Sequence, residues 1–205
     1  MTRLLIATTN AAKFAEYRVL LRGYQLQVLS LREAGIDATA PEDGASFAEN
    51  ARFKANFYFE RSGIATLADD GGLEVDALGG APGVHSHRWL GEGASDRALA
   101  EEIVRRMRGV GQAQRTARLR AAAALVCMAD GKRRERVVEA AFEGTIATRC
   151  YQEVQPGFPY RAVLLVPQRG CYLAELGEEQ AARLSQRRLT VEALDADLKR
   201  IGMGG

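Results

Sequence analysis

Cysteine is scarce and ungrouped: Cys127, Cys150 and Cys171 are odd in number, far apart and form no Cys-x-x-Cys pair. That excludes a disulfide framework and a cysteine-based zinc site, and it suits a reducing compartment. Histidine is rarer still. His85 and His87 alone are one ligand short of a conventional zinc set. An excess of one charge is missing too: 28 basic against 26 acidic residues leave a net charge of +2, so composition gives no case for a nucleic-acid or membrane partner. No apolar run approaches the length of a membrane span, and Leu4-Leu5-Ile6-Ala7 is too short for the core of a signal peptide. Repeats, low-complexity stretches and clear linkers are lacking as well. These absences predict a cytoplasmic protein that meets neither nucleic acid nor membrane.

What is there is globular. With 47% hydrophobic and 26% charged residues over 205 positions, the chain can bury a real core as one large domain or two intimate lobes. Leu4 to Thr8 reads as a strand that ends in Thr-Thr-Asn, followed by a helix carrying Phe14, Tyr17, Val19, Leu20 and Leu21. Leu26 to Leu31 is strand-like, and Asp37 to Ala45 is a polar loop. Ser46, with Glu49 three residues on, fits a capping box for a second helix that Gly63 ends. Ile64 to Ala68 is a short strand running into Asp69-Asp70-Gly71-Gly72, which places both carboxylates at a strand end. Ser95 opens a third helix with Leu99, Ile103 and Met107 on one face. Ala121 to Ala129 and the alternating stretch around Val138, Ala140 and Phe142 predict two long antiparallel strands about an Asp130-Gly131 turn. Ala162 to Val166 is another strand, and Val191, Leu194, Leu198 and Ile201 have helical spacing. The order is not a strict βα alternation, so the sheet should be mixed α/β.

Three segments could carry chemistry. Thr8-x-Asn10-x-x-Lys13 sits at a strand-to-helix turn, where unpaired N–H groups, the helix dipole and a lysine together suit a phosphate; an ordinary helix cap is the plainer alternative. Asp69 and Asp70 are adjacent carboxylates. Two such charges about 4 Å apart repel by about 4 kcal/mol at an effective dielectric near 20, which calls for a cation or a raised pKa. Asp-Asp-Gly-Gly is also good turn chemistry, and consecutive strand residues would point to opposite sides. Asn50 and Lys54, four apart, share a helix face that either is solvated or meets a phosphate. Glu42 is a further acidic candidate. The arginines at 105, 106 and 108, and the basic run 132–136, read as a solvated helix end and a hairpin tip.

Taken in order, Thr8-x-Asn10-x-x-Lys13, Glu42-Asp43-Gly44-x-Ser46-Phe47-x-Glu49-Asn50-Ala51-x-x-Lys54-Ala55 and Ala68-Asp69-Asp70-Gly71-Gly72-Leu73-x-Val75-Asp76-Ala77-Leu78-Gly79-Gly80-Ala81-Pro82-Gly83-Val84 resemble the signature blocks of the inosine triphosphate pyrophosphatases. The resemblance is strong over residues 4–110 and fades toward the C-terminus. It implies an α/β fold with an elongated mixed sheet and flanking helices, two lobes around a central cleft, with residues 1–205 as a single pyrophosphatase domain and a homodimer as the assembly. It implies hydrolysis of nucleoside triphosphates, above all non-standard purines such as ITP, dITP and XTP, to the monophosphate and pyrophosphate.

By the same resemblance, Thr8, Asn10, Lys13, Asn50, Lys54 and Gly71 would bind substrate, with Lys13 and Lys54 on the phosphates. Glu42 and Asp70 would hold Mg²⁺, and Asp70 would orient or deprotonate the attacking water, supported by Asp69. Phe158 or Tyr160 would stack on the base and Arg187 would donate to a purine carbonyl. Departures fall in the base-reading motifs. Where the family has Gly-Phe-Gly-Tyr-Asp-Pro, this chain has Gly157-Phe158-Pro159-Tyr160-Arg161-Ala162; Ala181 stands at a lysine position, Gln186 at a histidine, and Gly71 at a serine. The alternatives are therefore a pyrophosphatase for another nucleotide, or a nucleotide-binding protein without turnover.

Overall fold

Leu4, Leu5 and Ile6 lose all contact with solvent in β1 (Thr2–Ile6), as expected of a strand buried on both faces. The computed structural model describes residues 1–167 and 169–203. β1 is followed by α1 (Ala11–Leu20), β2 (Leu26–Leu29), α2 (Phe47–Ser62), β3 (Ala65–Val75), α3 (Asp96–Arg106), β4 (Thr116–Ala129), β5 (Lys132–Ile146), β6 (Leu164–Val166), β7 (Cys171–Tyr172), α4 (Glu178–Leu184), α5 (Gln186–Ala193) and α6 (Asp195–Gly202). The strands form one sheet in the order β2-β1-β3-β4-β5-β6-β7. β1 lies parallel to β2 and to β3, whereas β6 is antiparallel to both β5 and β7. The mixed α/β sheet expected from the sequence is present.

The chain divides into two compact units, one made of residues 1–70, 121–140 and 186–205, the other of 71–120 and 141–185. In the first, Leu4, Ile6, Tyr17, Leu21, Leu67, Ala123, Leu125, Leu194 and Leu198 form the core. Each such leucine contributes about 1.5–3 kcal/mol by leaving water. α2 is bounded as its residues dictate: Ser46 Oγ accepts from Glu49 N–H, and Gly63 closes the last turn in the left-handed region at φ 64°. The capping box is displaced by one residue, since Glu49 returns its carboxylate to Ala45 N–H at 2.8 Å. Between β4 and β5, Asp130 and Gly131 both adopt positive φ, 53° and 69°, the combination that a two-residue hairpin of the I′ type demands.

The second unit packs Leu73, Val75, Leu99, Ile103, Met107, Ile146 and Leu164. Arg115 is buried there with its guanidinium spread over backbone carbonyls: Nε to Ile146 O, Nη1 to Met107 O and Val110 O, Nη2 to Ala147 O.

Two expectations are corrected. β3 does not stop at Ala68: it continues to Val75, so Asp69 and Asp70 lie inside a strand rather than at its end or in a turn. The glycines permit this. A Cβ on Gly72 would lie 2.0 Å from Ser86 Oγ, and that hydroxyl takes the Leu73 N–H at 3.0 Å while donating to Gly83 O. The helical spacing at the C-terminus is interrupted as well. Leu194 N–H is shared between Thr190 O and Val191 O, which separates α5 from α6, and Asp195 in the new first turn accepts from Tyr24 Oη at 2.9 Å.

Candidate active site

The site lies wholly in the first unit and is assembled from β1, α1, α2, β3 and α5. At the end of β1, Thr8 Oγ1 accepts from Asn10 N–H, and Asn10 Oδ1 accepts from Ala12 N–H and Lys13 N–H at 2.9 and 3.1 Å. Asn10 thus caps α1, and two of the N–H groups that the sequence offers to a phosphate already have an acceptor. Lys13 follows in the first turn and turns inward: it is 5% exposed, with Nζ 3.3 Å from Asp69 Oδ2.

Because side chains alternate along a strand, Asp69 and Asp70 face different neighbours. Asp69 Oδ2 receives Arg187 Nε at 2.9 Å as well as Lys13, and Arg187 Nη1 reaches Glu16 Oε2 at 3.3 Å. Asp70 meets α2 instead: Asn50 Nδ2 donates to its Oδ2 at 2.9 Å, and Lys54 Nζ stands 3.6 Å from its Oδ1. Asn50 and Lys54 are 1% and 7% exposed, so theirs is not a solvated helix face. Asn50 Oδ1 also accepts from Gly44 N–H at 2.8 Å, and Lys54 Nζ donates to Glu42 Oε1 at 2.9 Å. A Cβ at Gly44 would come within 2.7 Å of Asn50 Oδ1, so the loop residue is a glycine because of close approach.

Opposite charges decide the protonation states. Burial pushes the Asp69 carboxyl up, but the Arg187 and Lys13 charges outweigh it and hold the group well below the usual carboxylate range. Burial lowers the Lys13 ammonium, with Asp69 opposing. For Lys54 burial also acts downward, yet Asp70 and Glu42 prevail and its pKa rises. Arg187 is raised in the same way, burial being outweighed by Asp69 and Glu16. Isolated charges so deeply buried would be prohibitive; paired like this they persist.

The donor chemistry at Glu42 and Asp70 fits a magnesium ion. Both carboxylates already converge on one cation, the Lys54 ammonium, and Glu42 is half exposed where Asp70 is nearly covered. Mg²⁺ typically takes one or two carboxylates and completes its shell with water and phosphate oxygens. A closed cage is not what these residues offer: among the described residues, no three His, Cys, Asp or Glu side chains group together.

The other expected substrate residues are less uniform. Gly71 is buried within β3. In the second unit, Tyr160 is 4% exposed and its hydroxyl donates to Ser86 O at 2.6 Å, so it is a core residue rather than an open stacking surface. Phe158 carries the Arg161 guanidinium 3.7 Å over its ring, and Arg161 donates to Gln155 Oε1. Arg187 gives Nε to the Asp69 carboxylate and Nη1 to that of Glu16. Glu16 escaped the sequence reading. Its signal was there: Lys13, Glu16 and Tyr17 fall at i, i+3 and i+4 on the buried face of α1, and two charges on such a face require partners.

Acids on β3 beyond the carboxyl end of its parallel neighbour β1, with lysines from α1 and α2 beside them, place the molecule among the mixed α/β proteins whose ligands meet strand ends. The chain belongs to the Ham1 family, whose model matches residues 4–197. It is 38% identical over 205 residues to a dITP/XTP pyrophosphatase of Geobacillus kaustophilus, covering 100% of this chain and 98% of that one. A Vibrio parahaemolyticus protein of the same name is 36% identical over 198 residues, 97% of each chain. Among solved structures, the Staphylococcus aureus Ham1 protein superposes with a TM-score of 0.81 at 29% identity, covering 97% of this chain and 98% of that one. A Mycobacterium abscessus nucleoside-triphosphatase, dITP/XTP pyrophosphatase, gives 0.70 at 34% identity over 94% and 98%.

Proposed function

We propose that this chain is a nucleoside triphosphate pyrophosphatase: water and a nucleoside triphosphate give the monophosphate and pyrophosphate, with ITP, dITP and XTP as substrates. The observation that carries the reading is the convergence of Asp70, Asn50, Lys54 and Glu42 in one hydrogen-bonded group. Phosphoryl chemistry needs position and charge more than a side-chain nucleophile, and this group supplies both.

Asn50 fixes the Asp70 carboxylate, which orients a water and accepts its proton as the water oxygen attacks phosphorus and the anhydride between the α- and β-phosphates opens. Lys54 and Lys13 exchange part of their contact with carboxylates for contact with phosphate oxygens and hold the leaving pyrophosphate. Glu42 and Asp70 would hold Mg²⁺, which when bound supplies charge neutralisation at the phosphate oxygens. A second reading, turnover of a different base, draws support from Arg161 on Phe158, a cation at a position where the resembling family carries an acid.

Pyrophosphate release from ITP, XTP, dUTP, ATP, GTP and TTP with Mg²⁺ tests both. Release from ITP or XTP that falls about 10²–10⁴-fold in Asp70→Asn supports the reading; nucleotide bound but never cleaved would sink it, and preference for another base would select the second. We also infer a cytoplasmic homodimer. Three free cysteines suit the compartment, no helix among the described residues is long and apolar enough to cross a membrane, and light scattering on the purified chain measures the assembly.

A further inference from the structure

We propose that Arg161 is a specificity-determining residue that ranks an anionic base, xanthine, above neutral hypoxanthine; this rests on the pyrophosphatase reading, with the substrate's base stacked on Phe158. The residues concerned all lie in the second unit. A 3-10 turn runs over Pro159–Ala162 with Phe158 as its cap, and side chains three apart on such a turn stand one above the other. Phe158 and Arg161 have that spacing, which brings the guanidinium 3.7 Å over the ring. The turn is held firmly: Phe158 N–H donates to Gln155 O at 2.9 Å, Arg161 N–H donates to Phe158 O at 3.2 Å, and Pro159 fixes its own φ. Gln155 holds the guanidinium too, its Oε1 accepting from Arg161 Nη1 at 3.2 Å.

Burial tells the two stacked groups apart. Arg161 is 5% exposed, whereas Phe158 keeps part of its surface in water. The arginine therefore backs the ring from the inside, and a base meets the ring from its exposed side. A base stacked there at about 3.5 Å lies about 7 Å from the guanidinium carbon, across a ring that admits no water. Opposite charges at that range attract appreciably wherever burial lowers the effective dielectric toward about 20. Arginine keeps its charge at any working pH. An acid that reaches this loop, Asp96 on α3, gives Oδ2 to Gly157 N–H at 2.6 Å. The two purines differ in what they offer such a cation. Xanthine loses a ring proton near neutral pH because its second carbonyl spreads the negative charge; hypoxanthine has one carbonyl and stays neutral. Stacking alone is indifferent to this, since every base has a π-face, so the guanidinium decides. Arg161 stands where the resembling family carries an acid, and the ranking is this chain's own.

The test uses the full chain at neutral pH with Mg²⁺ and two readouts: kcat/KM for pyrophosphate release from XTP and ITP, and calorimetric affinity for XMP and IMP, which needs no turnover. The wild-type chain should favour XTP over ITP, and XMP over IMP, by about tenfold. Arg161→Gln keeps a hydrogen-bond donor but loses the charge, and should bring both ratios to within about twofold of unity. Arg161→Lys keeps the charge and should retain a preference of about fivefold. Phe158→Leu should weaken XMP and IMP alike, by about fivefold or more. Thermal unfolding identifies the folded variants; should Arg161→Gln fail to fold, the wild-type ratios and Phe158→Leu still decide. Equal wild-type affinities for XMP and IMP overturn the proposal, as do a preference that survives in folded Arg161→Gln and unchanged affinities in folded Phe158→Leu. Distinct XMP and IMP affinities without pyrophosphate release from either triphosphate refute the enzymatic reading instead, and the affinities of the variants still decide the role of Arg161.

Discussion

Arg187 and Arg115 are both 3% exposed, one in each unit, and they solve the same problem in opposite ways. Arg187 is matched by two carboxylates and its pKa is raised. Arg115 has only carbonyls among its described partners, and burial lowers its pKa. The contrast extends to their surroundings. The first unit encloses Lys13, Glu16, Lys54, Asp69 and Asp70, whereas in the second the larger ion network, Arg118 with Asp76, Glu143 and Glu74, lies near the surface. A carbonyl staple holds chain segments together and has nothing further to give. A carboxylate-paired cation can trade one anion for another, which is what binding a phosphate asks.

Breaking each arginine measures that difference. Arg187→Met removes the buried cation that Asp69 and Glu16 share and should cost about 3–5 kcal/mol in urea unfolding. Arg115→Met strands neutral carbonyls and should cost less, about 1–3 kcal/mol. Equal losses would show that the two arginines are merely alternative staples. A smaller effect sharpens the comparison inside the first unit: Gly44→Ala forces Asn50 Oδ1 away from the loop and should lower kcat/KM for ITP at least about tenfold, by disturbing Asp70 at second hand. Smallest is a charge group on α3 of the second unit. Arg105 and Arg106 hold the Glu102 carboxyl at about 2, so its stabilisation is full above the ordinary value near 4.5 and is lost as pH falls from there toward 2. Glu102→Gln should flatten the acid-side unfolding curve in that window by no more than about 1 kcal/mol, as expected of a surface pair.

The helix ends and the hairpin were legible in the sequence because each rests on local chemistry: Ser46, Gly63, Ser95 and Asp130-Gly131 do what those residues do anywhere. Lys13, Asn50, Lys54, Asp69, Asp70 and Glu42 were legible as a set by resemblance, and the structure brings them together in one unit. The length of β3 was not legible, because Gly72 reads as a breaker until Ser86, fourteen residues on, is seen to need its missing side chain. The partners of Arg187 were not legible for a similar reason. Its partners, Glu16 and Asp69, are 171 and 118 residues away in the chain, and no spacing rule reaches so far.

The pleat of β3 also sets what mutation can reach. Asp69 and Asp70 are the same letter twice, yet they serve different neighbours, and only their parity along the strand tells them apart. A single codon gained or lost between Ala65 and Asp69 would turn each carboxylate to the opposite side of the sheet. A change of two residues would keep each on its own side and carry both about 6–7 Å along the strand, away from Lys13 and Lys54.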